Sequence, residues 1–151
     1  MDGLNILDPQ QAATSPAKVA DCVVLTHEGK LYMQRRTWGR WIGNVNTFGG
    51  HVEPGETSAQ AVIRELNEET GAKINGKDLL FIGALTEDWT NHEEAVHIYF
   101  WHDKERTITG CYECEAMTFD SLKEALAHPG LMPYAKWALE KCDAMGLIHN
   151  F

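Results

Sequence analysis

Basic residues are scarce in this 151-residue chain: 13 Lys and Arg stand against 22 Asp and Glu, a formal net charge of −9. That deficit excludes a broad basic patch, the usual means of binding nucleic acid or anionic lipid without sequence preference. An anionic substrate would need a recruited cation, and a divalent metal is the obvious candidate. Long apolar runs are missing too. The strongest, Val19–Leu25 and Ala95–Trp101, are interrupted by Asp21 and His97, and both fall far short of the roughly 20 residues that span a bilayer. The opening Met1-Asp2-Gly3 brings no basic segment followed by an apolar one, so no secretory leader is expected. Cys22, Cys111, Cys114 and Cys142 are too few and too scattered for a disulfide scaffold. The expectation is a cytoplasmic protein without membrane association.

What remains is an ordinary globular composition, 44% hydrophobic and 23% charged, in a chain of one domain's length. Residues 1–16, with Pro9, Pro16 and a Gln-Gln-Ala-Ala-Thr-Ser stretch, read as a tail or loosely attached segment, and 17–151 as the domain proper. Strand-like runs are Lys18–Thr26, Lys30–Arg36, Leu79–Leu85, Val96–Trp101 and Glu115–Phe119, the first two joined at His27-Glu28-Gly29. A Gly- and Trp-rich loop, Thr37–Asn46, leads to Thr47-Phe48-Gly49-Gly50. Helices are expected at Ser58–Thr70, Ser121–Ala127 and Tyr134–Met145. The first has Thr57 and Gln60 at capping-box spacing and Gly71 just past its end. Strands flanking a helix, then more strands and closing helices, indicate a mixed α/β layered domain.

The segment from Gly50 to Ala72, GHVEPGETSAQAVIRELNEETGA, carries the chemistry. At about 100° per residue, Glu68 and Glu69 fall roughly 60° and 40° either side of Glu65, so three carboxylates share one helix face. Val62, Leu66, Ala59, Thr70 and Ile63 form a separate stripe suited to packing on a sheet. Like charges at i, i+3 and i+4 repel and cost a few tenths of a kcal/mol each. A solvated acidic face would carry the same glutamates, but oxygen-rich clusters of this kind also suit Mg²⁺ or Mn²⁺. Gly49-Gly50 permits close backbone approach, Pro54-Gly55 turns the chain to deliver Glu56, and Arg64 is placed to orient carboxylates.

Gly50, five residues, Glu56, seven residues, then Arg64-Glu65-Leu66-Asn67-Glu68-Glu69-Thr70-Gly71-Ala72 resembles the Nudix box, G-x5-E-x7-R-E-U-x-E-E-x-G-U with U aliphatic. Only the last position departs, where Ala72 replaces a bulkier aliphatic. The resemblance implies a MutT-like hydrolase of a nucleoside diphosphate linked to another group, on a Nudix-type α/β/α sandwich with a mixed sheet. By position, it makes the Gly50 carbonyl and the side chains of Glu65, Glu68 and Glu69 metal ligands, Glu56 a support, and Arg64 an orienting group. Metal ions would neutralise phosphate charge and lower the pKa of a bound water, and a carboxylate would take its proton.

Other candidates carry everyday alternatives. Arg36, at the end of the second strand, is read as a phosphate contact or as half of a solvated pair with Arg35. Trp38, Trp41 and Trp89 are large enough to stack on a nucleobase, and Trp38 and Trp41 lie in the loop before the box. Glu113 and Glu115, with Glu93 and Glu94 as competitors, fall where relatives often supply a further glutamate. Cys111-Tyr112-Glu113-Cys114 has zinc-knuckle spacing but lacks the partners that complete four ligands.

Substrate class follows by elimination within the resemblance. No proline occurs between Pro54 and Pro129, Glu87-Asp88-Trp89-Thr90 replaces the tyrosine of dinucleoside polyphosphate relatives, and the coenzyme A motif is missing. A small-molecule nucleoside triphosphate remains, cleaved to a monophosphate and pyrophosphate. Another nucleoside diphosphate derivative, such as a nucleotide sugar, and a non-catalytic nucleotide-binding module stay open. Isopentenyl diphosphate isomerases share the fold but need a cysteine before the box, and none lies between Cys22 and Cys111.

Overall fold

A computed structural model describes residues 3–148. Its strands, in chain order, are β1 (Leu4–Ile6), β2 (Ala17–Leu25), β3 (Leu31–Arg35), β4 (Val45–Asn46), β5 (Phe48–His51), β6 (Leu80–Glu87), β7 (Ala95–His102) and β8 (Glu115–Phe119). Its α-helices are α1 (Pro9–Thr14), α2 (Ser58–Thr70), α3 (Leu122–Leu126) and α4 (Pro133–Ala144). The strands form one mixed sheet in the order β1-β6-β7-β2-β3-β4, with β5 also pairing β2 and β8 also pairing β3. β2 and β7 run parallel, and the other pairs named are antiparallel.

The pleat of β2 explains the layers. Alternate residues point to opposite faces, so Ala20, Cys22 and Val24 join one buried cluster with Phe48, Val62 and Leu66 beneath α2. Val23 and Leu25 join the other, with Ala135, Ala138 and Leu139 of α4. The result is the expected α/β/α sandwich. Val62 and Leu66 are fully buried, and each contributes about 1.5–3 kcal/mol by leaving water. Ala61 and Glu69 are buried on α2 as well, while Ala59 and Ile63 are half-buried. Thr57 and Gln60 form a reciprocal capping box at the start of α2, and Gly71 ends it in the left-handed conformation.

The segment expected to be a tail is built into the sheet. Leu4–Ile6 pairs with Leu85–Glu87 of β6, and α1 has Asp8 and Gln11 as a capping box with Pro9 in its first turn. A three-residue strand and a six-residue polar helix carry too little periodicity to be read from sequence. Residues 1, 2 and 149–151 of the two expected segments lie outside the described residues. Among those described, no helix is long and apolar enough to cross a membrane.

Candidate active site

The site is assembled where β2, β5 and α2 meet. β5 pairs with β2 in the register Ala20↔Gly50 and Asp21↔Gly49. Glycine is required at Gly49 by the backbone of β2, and at Gly50 any side chain would displace Glu65. A β-carbon at Gly49 would run into the Ala20 carbonyl and the Asp21 carboxylate, and one at Gly50 would stand 2.6 Å from the Glu65 carboxyl carbon. The bare backbone of β5 therefore lies directly against the acidic face of α2, and the Gly49 N–H donates to Glu69 Oε1 at 3.0 Å.

Arg64 harnesses the other carboxylates. Its Nε and Nη2 donate to Glu56 Oε2 and Oε1 at 2.8 and 2.9 Å, a bidentate fork. Its Nη1 donates to Glu65 Oε1 at 2.9 Å and its Nη2 to the His51 carbonyl at 3.0 Å. Glu53 and Glu68 stand further from Nη1, at 3.7 and 3.6 Å. One guanidinium thus joins the loop before α2, the end of β5 and the helix face.

The electrostatics divide these acids. The Arg64 hydrogen bonds hold Glu56 down to about 2, helped by the Glu53 amide. Burial raises Glu65, against the pull of Arg64, and Glu68 and Glu113 add to the rise. Glu69, 5% exposed, is pushed up to about 9 by burial first and then by Glu65, Asp21 and Glu113, the Gly49 amide opposing. Buried negative charge without a matching cation is the condition that a bound metal relieves.

The donors fit a hard divalent cation chemically: carboxylates and a backbone carbonyl, brought close by two glycines. Among the described residues, however, no three His, Cys, Asp or Glu side chains converge tightly enough to hold an ion as they stand. Glu65 and Glu69 face the β5 backbone, whereas Glu68 is turned toward Arg64, its side chain 52% exposed.

A cavity of about 450 Å³ opens over this centre. Glu65, Glu69 and Gly49-Gly50 line it together with Arg36, Trp38, Glu113 and Cys114. Arg36 stacks on the Trp38 ring, 4.4 Å from guanidinium carbon to ring centroid, and donates from Nε to the Trp38 carbonyl at 3.1 Å. It makes no ion pair among the described residues, while Arg35 faces Glu115 at 3.6 Å. Trp38 Nε1 donates to the Glu113 carbonyl at 3.0 Å. The loop carrying Glu113 is pinned to the end of α2, where Thr109 and Tyr112 amides donate to the Thr70 and Glu69 carbonyls at 2.8 and 2.9 Å.

Of the four glutamates considered outside the box, only Glu113 lines this cavity. Trp41 does not. It meets Trp89 edge-on, centroids 6.1 Å apart, at a second cavity of about 270 Å³ that also includes Asn44 and Glu87. Cys111 and Cys114 are free thiols. Burial pushes Cys111 up, and no third ligand joins the pair among the described residues. A larger cavity of about 760 Å³, with Leu25, Phe100, His102 and Leu147 in its wall, contains none of the box residues.

Two buried acids in the walls of the 450 and 270 Å³ cavities are not evident from the sequence. Asp21, 6% exposed, lies against Gly49 and lines the catalytic cavity with Gln34, Thr47 and Tyr134. Burial, then Glu87, raises its carboxyl well above the usual range. Glu87, 8% exposed at the end of β6, is raised by burial, opposed by the Trp89 side chain and reinforced by Asp88 and Glu94. Asp21 registers only as an interruption in an apolar run. The unused signal was that a charged residue at mid-strand needs a built environment.

The sequence profile of the NUDIX domain family matches residues 16–139. The chain is similar to the CTP pyrophosphohydrolase of Escherichia coli, with 30% identity over 114 residues, 70% of this chain and 77% of that protein. It is also similar to the oxidized purine nucleoside triphosphate hydrolase of Danio rerio, with 26% identity over 123 residues, 81% of this chain and 74% of that one. Among solved structures, the fold resembles that of the Bacillus subtilis pyrophosphohydrolase BsRppH, with a TM-score of 0.70 and 22% identity across 97% of this chain and 93% of the other.

Proposed function

This chain belongs to the Nudix family and is a hydrolase of phosphoric anhydride bonds, and we propose that it cleaves nucleoside triphosphates to nucleoside monophosphate and pyrophosphate. Support comes from the relatives named for CTP and for oxidized purine nucleoside triphosphates. The observation that carries the reading is the closeness of the Glu65 and Glu69 carboxylates to the bare Gly49-Gly50 backbone.

In this reading Glu65, Glu68, Glu69 and the Gly50 carbonyl hold Mg²⁺ or Mn²⁺. When bound, the cation supplies charge neutralisation on the phosphates and acidifies a water. The remaining work falls to the chain. Arg64 fixes the orientation of Glu65 and Glu56, and Glu68 would turn away from Arg64 to join the ligands. Arg36, stiffened by Trp38, offers its free guanidinium edge to a phosphate oxygen. A water oxygen attacks one phosphorus of the anhydride bridge, the bridging P–O bond breaks, and a carboxylate takes the water proton. Glu113 and Glu69, which both line the cavity, are the acids we assign to that transfer.

The test is product analysis over a panel of nucleoside triphosphates, nucleotide sugars and other nucleoside diphosphate derivatives, with Mg²⁺ and Mn²⁺. Monophosphate and pyrophosphate from triphosphates support the proposal. Diphosphate and orthophosphate, or turnover of the nucleotide sugars alone, would overturn it.

A further inference from the structure

The first cavity gathers the carboxylates and Arg36, the groups that would meet metal and phosphate. Trp38 is poorly placed to stack on a base, since Arg36 covers its ring and Glu113 holds its indole N–H. The second cavity adjoins the first across β4 and the start of α4. Asn46 and Tyr134 line one, Asn44, Met132 and Pro133 the other, and Asn46 Nδ2 lies 3.7 Å from Met132 Sδ across the divide. Trp89, 55% exposed, offers a ring at the mouth of this second cavity, with Trp41 edge-on beside it. Glu87 is buried in the same wall, where its carboxylate meets the Trp89 side chain, and among the described residues it has no Lys, Arg or His ion pair.

We propose that this second cavity takes the nucleobase and that Glu87 selects bases carrying an exocyclic amino group. The inference rests on the nucleoside triphosphate reading above and goes beyond it by naming the base class and the residue that reads it. The Trp89 ring supplies a π-face, which any base accepts. Selection then comes from the carboxylate, which is acceptor-only when ionised. An exocyclic N–H donates to it, whereas a carbonyl at the same position sets two acceptors against each other in a site largely closed to water. Cytosine and uracil test this along one edge of the same ring: cytosine offers an exocyclic N–H at C4 beside a bare N3, whereas uracil offers an oxygen at C4 beside N3–H.

The experiment compares CTP with UTP on wild type, Glu87→Gln and Trp89→Ala. A hydrogen bond to a charged acceptor is worth about 1.5–3 kcal/mol, so wild-type kcat/KM should favour CTP by about tenfold or more. Glu87→Gln gives the wall an N–H donor for the uracil oxygen, so UTP should gain and the ratio should collapse or invert. Trp89→Ala should raise KM for both nucleotides and leave kcat nearly unchanged. Tryptophan fluorescence titrations with CMP and UMP give the same comparison without turnover. If no triphosphate is cleaved yet CMP binds more tightly than UMP, the base assignment survives and the activity falls. Equal wild-type ratios for CTP and UTP, or equal losses for both in Glu87→Gln, would overturn the assignment.

Discussion

Glu69→Gln should make the protein more stable and inactive at once. Glu69 is 5% exposed and its carboxyl is pushed up to about 9, whereas an unfolded chain ionises glutamate near 4.3. Between those values the folded state holds a proton that the unfolded state has released. Stability is therefore fully present below the unfolded value and is lost as pH rises toward the folded one. At about 1.4 kcal/mol per unit, the metal-free protein at pH 8 should carry a cost on the order of 3–5 kcal/mol from this side chain. Glutamine keeps an oxygen for the Gly49 amide and removes the titration. In chelator-containing buffer the variant should melt at wild-type temperature near pH 4 and progressively above it toward pH 8. At roughly 2–4 °C per kcal/mol for a domain of this size, the gap should reach about 6–20 °C. The difference between the two proteins at each pH cancels the titration of Glu87, whose carboxyl burial also raises, while Asp21 and Glu65 act on Glu69 through charge and so belong to the same gap. Turnover should fall by orders of magnitude. A variant destabilised by the same amount at every pH, or one that keeps wild-type turnover, would refute the reasoning.

Three further outcomes follow from the same geometry. Gly50→Ala places a methyl 2.6 Å from the Glu65 carboxyl carbon, so kcat should drop at least about tenfold with Glu65 displaced, and a crystal structure would show the shift. Arg64→Lys should behave nearly as badly as Arg64→Ala in steady-state assays, because an ammonium cannot reproduce the fork on Glu56 while also reaching Glu65 and His51. Arg36→Ala should raise KM about tenfold with a smaller change in kcat, as expected for a phosphate contact made in both ground and transition states.

Local signals made α2 legible: the capping box, the terminal glycine and the separation of acidic and apolar faces all appear in order along the sequence. β2, β3, β6, β7 and β8 were likewise visible as apolar runs. What sequence reading lost depends on pairing between distant segments. β5 contains two glycines, poor strand formers, and exists because β2 and α2 hold it. Glu115 and Glu113 are indistinguishable in sequence, but β8 pairs with β3 in the register Arg35↔Glu115, which commits Glu115 to Arg35 and leaves Glu113 at the cavity. Trp38 and Trp41 share a loop yet face different cavities, a division made by its turns rather than its composition. Glu87 lies in a polar tetrapeptide and is buried because β6 runs on between β1 and β7.

The proposed mechanism requires the face of α2 opposite its apolar stripe to bind divalent metal. Manganese binding to the full chain, followed by electron paramagnetic resonance, tests it most directly. At least one bound ion per wild-type chain is expected, lost in Glu65→Gln and in Glu69→Gln while circular dichroism shows both folded. Undiminished binding in both variants, or none in the wild type, would contradict it.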